Sequence, residues 1–143
     1  MSHPTLAFKR AYLALRRALE HTVKPFDFTG AQFDVLQLLM HQDGLEHRDL
    51  QRQLSIASPT LTNILDVLER EGHVERRSES SDARIKTIHM SRKARQMCAS
   101  DEFCDAGDAL VKQMFDGFTE EERRRFLSAL ARIESNLDKI AKP

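Results

Sequence analysis

Apolar side chains recur every three or four residues along most of the chain, which is the spacing of amphipathic helices. Residues 5–24 carry the first such stripe, and Pro25 follows it as a helix-ending residue. The second predicted helix begins at Thr29, which forms a capping-box pattern with Gln32, and it ends near Gly44. Its predicted buried face continues through Leu36, Leu39 and Met40.

The third and fourth predicted helices follow each other closely. The third is short and covers about residues 46–54. The fourth begins at Ser58, a good N-cap, and Pro59 suits the first helical position, where no backbone N–H is needed. This helix is predicted to end at Gly72. Its apolar face consists of Leu61, Ile64, Leu65 and Leu68.

The pattern changes over residues 73–90, where the segments HVERR and IKTIHM flank a polar, Ser-rich turn and are predicted to pair as a β-hairpin. Helical spacing then returns in a long helix over residues 91–117, with a bend near Gly107. A last helix starts at a second capping box, Thr119 with Glu122. Its apolar residues form a heptad seam of Phe126, Leu130, Ile133, Leu137 and Ile140. The sequence therefore predicts a mainly α fold with one small β-hairpin.

Size and composition fit one cytoplasmic subunit. The chain has 143 residues, of which 41% are apolar and 31% charged, which allows a real core. No apolar run approaches the roughly 18 residues of a membrane span, and the N-terminus lacks the pattern of a secretion signal. Cys98 and Cys104 lie six residues apart on a predicted helix, too far apart for a bridge, and are expected to be reduced core thiols. A redox role for them stays open.

Charge is balanced overall but not along the chain. There are 22 basic and 22 acidic residues. Residues 72–95 hold seven Lys or Arg against three Asp or Glu, whereas residues 96–143 hold seven against ten. A local basic excess matters more than the total for binding a polyanion, so the hairpin and its flanks become a candidate contact with nucleic acid.

The order helix, helix, sharp turn, helix, hairpin is that of a winged helix-turn-helix. The second helix of such a motif enters the major groove by its N-terminal turn, so residues 58–71 are the predicted recognition helix. Arg84 at the hairpin tip is predicted to enter a narrow minor groove, with Asp82 holding it in place. The predicted DNA contacts are Arg48, Ser58, Thr60, Thr62, Asn63, Arg76, Arg77, Asp82, Arg84 and Lys86. An ordinary amphipathic helix and a solvated hairpin with edge-protecting charges stay open as alternatives.

The run from Ser58 to Met90 resembles the winged helix of the MarR (multiple antibiotic resistance regulator) family. The matching segments are SPTLTNILDVLEREGHVERR, then DAR, then IHMS before the long helix. The resemblance covers essentially the whole chain and implies a dimeric bacterial or archaeal transcription factor, usually a repressor. Three positions depart from the family's pattern. Ala83 stands at the first of two positions after the wing Asp that are commonly basic, Ala94 replaces a glycine, and Glu46 replaces a Thr or Ser cap.

The resemblance implies a homodimer, and both terminal segments carry apolar stripes that a winged helix does not need. Packing of both stripes within one chain stays open as the alternative. Within a single MarR-like subunit 1–143, residues 29–90 are the predicted DNA-binding lobe, and residues 1–24 and 91–143 the helical dimerisation and connecting region. Two lobes related by a twofold axis would read a pseudo-palindromic operator with half-sites about 34 Å apart. The predicted interface residues are Leu6, Phe126, Leu130, Ile133, Leu137 and Ile140.

The resemblance also implies an effector, a small lipophilic or phenolic molecule bound between the dimer layer and the winged helix. Tyr12 and Arg16 are the candidate lining residues on the first helix, and a core position for Tyr12 with its hydroxyl at the edge stays open as the alternative. Ligand and DNA would then compete through different affinities for two conformations.

Other functions are less well supported by the residues. No cofactor or metal is expected, because the six histidines form no i, i+4 pair and no cluster with cysteine. No Gly-rich phosphate loop or nucleophile–base set suggests an enzyme. The alternative left open is a winged-helix module that binds a protein partner and lacks strong DNA affinity, which Ala83 and the zero net charge would fit.

Overall fold

A computed structural model describes residues 3–78 and 81–141, so residues 79 and 80 of the predicted hairpin lie outside the described part. The described elements are α1 (Pro4–Val23), a 3-10 turn (Lys24–Phe26), α2 (Gly30–His41), β1 (Leu45–Glu46), α3 (His47–Leu54), α4 (Ser58–Arg70), β2 (Val74–Arg77), β3 (Thr87–Met90), α5 (Arg92–Cys98), α6 (Asp101–Met114) and α7 (Glu120–Ala141). The chain divides into two compact units, Met1–Gly107 and Asp108–Pro143.

The predicted fold class is confirmed, since helices dominate and the strands form one small antiparallel sheet. The sheet has three strands in the order β1-β3-β2, one more than the predicted hairpin. Ile88 in the central strand lies opposite Leu45 on one side and Arg76 on the other. The sequence did not reveal β1 because two residues are too short to show the alternation by which strands are recognised.

The core of the first unit lies among α2, α3, α4 and the sheet. Each element contributes side chains that are at most 1% exposed, including Leu36, Leu50, Leu65, Val74 and Ile88. Truncating one such leucine to alanine typically costs about 2–5 kcal/mol of stability. The core therefore fixes α4 and the sheet against each other.

The predicted N-terminal caps of α2 and α4 have different outcomes. The capping box of α2 is confirmed: Thr29 Oγ1 accepts from Gln32 N at 3.1 Å, and Gln32 Oε1 accepts from Thr29 N at 3.0 Å. The predicted N-cap role of Ser58 is wrong, because Ala57 is the N-cap of α4 and Ser58 is already helical. The hydroxyl of Ser58 instead lies 3.1 Å from His47 Nε2.

The predicted long helix over 91–117 is interrupted, and not at Gly107, which lies within α6. The break falls at Ala99 and Ser100. Ser100 Oγ donates to Met97 O at 2.7 Å and accepts from Phe103 N at 3.2 Å, so this hydroxyl closes α5 and caps α6. Both cysteines are free thiols, but only one fits the predicted core position.

Burial distinguishes the two thiols. Cys98 is half-buried, and this burial is the main reason why the pKa of its thiol is raised. The nearby Cys104 raises the same pKa further. Cys104 is exposed, so its predicted core position is wrong. Met40, also predicted to be buried, is 44% exposed because α2 turns this residue away from the core.

The second unit is built from the C-terminal half of α6 and from α7. Thr119 and Glu122 form the predicted capping box, with Thr119 N donating to Glu122 Oε1 at 2.9 Å and Glu122 N donating to Thr119 Oγ1 at 3.1 Å. The rings of Phe115, Phe118 and Phe126 lie 5.5–6.5 Å apart by centroid. None of the described residues of α7 is buried.

Candidate nucleic-acid interface

Helix α4 has an apolar face in the core and a polar face in solvent. Leu61, Leu65 and Leu68 are fully buried, which fixes the rotation of the helix about its axis. The same rotation leaves four small polar side chains exposed near its N-terminus, Ser58, Thr60, Thr62 and Asn63. These short donors and acceptors are suited to base edges and phosphates.

The start of α4 is tied to the start of α3. His47 Nε2 lies 3.1 Å from Ser58 Oγ, which joins the first residues of the two helices. Asp49 Oδ2 accepts from Glu46 N at 3.3 Å, and Arg48 pairs with Glu46 at 2.8 Å while remaining 79% exposed. Sequence reasoning missed the His47–Ser58 contact, because it depends on how two helices pack and not on spacing within either one.

The turn between β2 and β3 presents Arg84 on a carboxylate support. Asp82 Oδ1 accepts from Arg84 N at 3.0 Å and from Arg84 Nε at 3.1 Å, and Asp82 Oδ2 accepts from a terminal guanidinium nitrogen at 3.0 Å. The predicted contact is therefore present, and the Arg84 side chain is still 90% exposed. The side chain and then the backbone N–H of Arg84 lower the pKa of Asp82, and Asp82 raises the pKa of Arg84.

The other predicted wing cations are also held by neighbours. Arg77 donates to Glu75 Oε2 at 2.9 Å, and its side chain is 49% exposed. Lys86 donates to the hydroxyl of Ser78. Both cations are accessible, so their predicted phosphate contacts stay predictions.

Arg76 differs from these cations because its guanidinium lies against α4. One terminal nitrogen is 2.9 Å from Asp66 Oδ1 and the other is 3.3 Å from Glu69 Oε1. The side chain is 25% exposed, against 48% for Asp66 and 44% for Glu69. Arg76 thus links strand β2 to two carboxylates of the candidate recognition helix.

The connection between α4 and β2 is fixed by backbone contacts around His73. Gly72 has a φ of +79°, which favours glycine. His73 N donates to Leu68 O at 2.8 Å, and His73 O accepts from Ser91 N at 2.9 Å. The pKa of His73 is lowered mainly by burial and, second, by the positive charge of Lys93. The His73 ring packs edge-on against the ring of Phe28, with their centroids 4.9 Å apart.

At the same end of β3, next to β1, Asp43 joins β3 to α5. Its carboxylate accepts from Met90 N at 2.9 Å and from Arg95 at 2.6 Å, and it lies 3.2 Å from His89 Nδ1. Gly44 has a φ of +76°, and a Cβ there would lie 3.0 Å from His89 Cε1. No local sequence signal predicts this cluster, because Asp43 and Met90 are 47 residues apart.

The candidate effector residues lie on α1. Tyr12 is 57% exposed, so the alternative of a core position for it is wrong. Arg16 forms a salt bridge with Asp34 of α2. Burial raises the pKa of Asp34 despite the opposing effect of Arg16. A ligand contact of Arg16 stays a prediction, and it would compete with Asp34.

The predicted interface residues are largely in solvent in the single chain. Leu6 and Phe126 are each 41% exposed, Ile133 is 36%, Leu137 54% and Ile140 81% exposed, and Leu130 is partly buried. Exposed apolar side chains repeated along one helix are typical of a surface that another chain covers.

Over residues 3–78 and 81–141 there is no group of three or more His, Cys, Asp or Glu placed to hold a metal ion. Within the same ranges, no helix combines the length and the apolar character needed to cross a membrane.

Comparison with known proteins gives consistent relatives. Residues 28–86 match the model of the MarR family. The chain is 31% identical over 110 residues to the HTH-type transcriptional regulator YdgJ of Bacillus subtilis, covering 77% of this chain and 66% of that one. It is 34% identical over 131 residues to the HTH-type transcriptional regulator TtmR of Methylorubrum extorquens, covering 92% and 62%. The chain thus spans roughly two thirds of the length of these two relatives.

Solved structures share the fold. A MarR transcriptional regulator from Methanosarcina mazei superposes with a TM-score of 0.85 at 21% identity, covering 95% of this chain and 96% of that one. The transcriptional regulator PA3341 gives 0.83 at 26% identity, with 96% and 99% covered. The Staphylococcus aureus MepR protein, solved in complex with DNA, gives 0.77 at 24% identity, with 96% and 99% covered.

Proposed function

The chain belongs to the MarR family, and we propose that it is a homodimeric, sequence-specific DNA-binding repressor that a small-molecule ligand releases from its operator. One observation carries the DNA-binding part: the exposed polar side chains at the start of α4 and the exposed Arg84 belong to the same compact unit. The relatives YdgJ and TtmR, both named as transcriptional regulators, support this function and not an enzymatic one.

DNA recognition divides between two elements. Helix α4 enters the major groove by its N-terminal turn, where Thr62 and Asn63 meet base edges. Arg84 at the wing tip enters the neighbouring minor groove, while Arg77, Lys86 and Arg48 meet phosphates. The fold that the chain shares with MepR, a protein solved with DNA, supports this arrangement.

Two copies act together through their terminal helices. The apolar residues that α7 leaves in solvent, with Ile140 the most exposed, support an interface in which a second copy covers them. A twofold dimer presents two recognition helices to half-sites about 34 Å apart. A small lipophilic or phenolic effector near Tyr12 and Arg16 would favour a dimer conformation with a different spacing.

Selection of duplexes from a random pool by the purified chain tests the proposal. The expected result is one enriched pseudo-palindrome, bound with an affinity that falls linearly as salt rises on logarithmic axes. A folded dimer that binds no duplex at 50 mM salt would refute the proposal and favour a module that binds a protein partner. Locating the enriched site in the source genome would name the regulated genes.

The dimer is tested by Leu137→Asp, which places a charge in the apolar seam of α7. Light scattering is expected to report a monomer or an unfolded chain for this variant. Asn136→Asp, at an exposed polar position one residue away, is the matched control and is expected to remain a dimer. If both variants keep the dimer, α7 is not the interface.

A further inference from the structure

We propose that Arg76 is a positioning residue, which fixes the angle between the recognition helix and the wing instead of binding a phosphate. This inference rests on the proposed DNA-binding function and reassigns one of the contacts expected from the sequence. We call the contact of Arg76 with Asp66 and Glu69 the Arg76 bridge. It is formed by both terminal guanidinium nitrogens, each facing a different carboxylate.

The Arg76 bridge joins the two DNA-reading elements directly. Arg76 lies opposite Ile88 in the sheet, and it shares a strand face with the buried Val74 two residues earlier. Asp66 and Glu69 are three residues apart on α4, so both carboxylates face the same side of the helix. A planar guanidinium on β2 that meets two carboxylates of α4 restrains the rotation of the strand relative to the helix more than a single ion pair does.

Position along α4 connects the bridge to recognition. Asp66 follows Asn63 by three residues and Thr62 by four, so it shares the face of the helix that carries the candidate base contacts. A change in the angle between α4 and the wing would therefore move Asn63 relative to Arg84. Since the two residues belong to different grooves in the proposed complex, such a change alters which sequences satisfy both.

Electrostatics disfavours the phosphate role for this arginine. The Arg76 bridge has one positive and two negative groups, so its net charge is negative, and it offers a phosphate no attraction as a unit. For Arg76 to turn to DNA, both carboxylates would have to lose their cation beside a polyanion. Arg84 faces no such cost, because its side chain is 90% exposed while it is still held by Asp82.

The test measures the ratio of affinities for the duplex selected by the wild-type chain and for a scrambled duplex of equal length. The single variants are Arg76→Lys and Arg76→Gln. They are compared with the double variant Asp66→Asn with Glu69→Gln, and with the triple variant that adds Arg76→Lys to the double one. Lysine keeps the charge but cannot bridge two carboxylates with a planar fork. The matched control is Arg52→Lys, at an arginine of α3 that pairs with Asp49 of the same helix.

A positioning role predicts that the ratio falls about fivefold or more in Arg76→Lys and in the double variant. The triple variant is expected to show no larger fall in the ratio than either of these variants, since all three changes break the same bridge. Arg52→Lys is expected to keep the wild-type ratio. A purely structural role lowers the folded fraction, which affects both duplexes equally and leaves the ratio unchanged. Thermal melting of every variant identifies that case.

Opposite results overturn the inference. If Arg76 binds a phosphate, Arg76→Lys keeps the ratio, Arg76→Gln lowers the salt slope by about one, and removing the two carboxylates raises affinity for both duplexes alike. An unchanged ratio in all variants, with wild-type binding intact, refutes the inference alone. Failure of the wild-type chain to bind any duplex refutes the proposed function and the inference with it.

Discussion

Arg76 and Arg84 lie in the same wing and are both paired with carboxylates, yet they face different surroundings. Arg84 is held by one acid of its own turn and is 90% exposed, whereas Arg76 is held by two acids of another element and is 25% exposed. A locally supported, exposed guanidinium is ready to meet a new partner without leaving its old one. A guanidinium that joins two elements holds them together, and it could bind a new partner only by breaking the contact between those elements.

The comparison also explains how a chain with no net charge can bind a polyanion. Many of its cations are paired within the protein, as for Arg95 with Asp43 and Arg52 with Asp49. What matters is which paired cations stay accessible, because exposed pairs contribute little to stability and exchange partners easily. Arg84 at the wing tip is the clearest example in the first unit of a paired cation that stays accessible.

The largest expected effect comes from removing the exposed arginine. Arg84→Ala is expected to weaken binding to the selected duplex roughly tenfold or more and to lower the salt slope by about one, because one cation leaves the groove. Its melting temperature should stay that of the wild type, since Arg84 lies in solvent. Fluorescence anisotropy at several salt concentrations measures both quantities.

Arg17→Ala, which removes an exposed arginine of α1, is the control for the loss of one positive charge. Equal affinities for wild type and Arg84→Ala would end the distinction between an arginine that meets DNA and one that supports the fold.

A substitution on α4 tests whether this helix contacts base edges, while the wing responds to the width of the minor groove. Asn63→Ala is expected to lower discrimination among single base-pair variants of the selected site by about 1–3 kcal/mol at one position in each half-site. The measurement is a set of competition titrations across those variants. A uniform loss over all positions would instead indicate a phosphate contact for Asn63.

Removing Arg76 is expected to destabilise the fold more than removing Arg84, the reverse of their expected effects on DNA affinity. Arg76→Ala is expected to lower the free energy of unfolding by about 0.5–1 kcal/mol, since it leaves Asp66 and Glu69 near each other without their cation. Denaturant unfolding of this variant beside Arg84→Ala gives the difference. Equal unfolding midpoints would mean that the Arg76 bridge contributes nothing to the fold.

The smallest effect is expected for the support of the wing tip. Asp82→Asn keeps an oxygen for the backbone N–H of Arg84 but loses the charge-assisted contact, so affinity should fall about two- to fivefold, mainly at A·T-rich flanks. Because Arg84 lowers the pKa of Asp82, the wild-type contact persists from neutral pH down to values below the usual carboxyl range. The factor by which Asp82→Asn lowers DNA affinity should therefore be the same at pH 5 and at pH 7. A loss of affinity in Asp82→Asn as large as that in Arg84→Ala would contradict the expected order of effects.

Local features of the fold were predictable from the sequence and distant contacts were not. The Thr29 cap, the apolar face of α4 and the Asp82–Arg84 contact all join residues within a few positions, where helix period and turn chemistry decide. The Arg76 bridge depends instead on how β2 packs against α4. The short strand β1 and the Asp43 cluster depend on residues more than forty positions away.

Footprinting on the selected duplex tests most directly whether α4 and the wing hold two adjacent grooves. Wild-type protein is expected to protect guanine N7 atoms in the major groove of each half-site and to block hydroxyl-radical cleavage in the flanking minor groove. Arg84→Ala should lose the minor-groove protection and keep the major-groove protection. A footprint that is the same for both proteins would contradict the assignment of Arg84 to the minor groove and, with it, the two-groove arrangement.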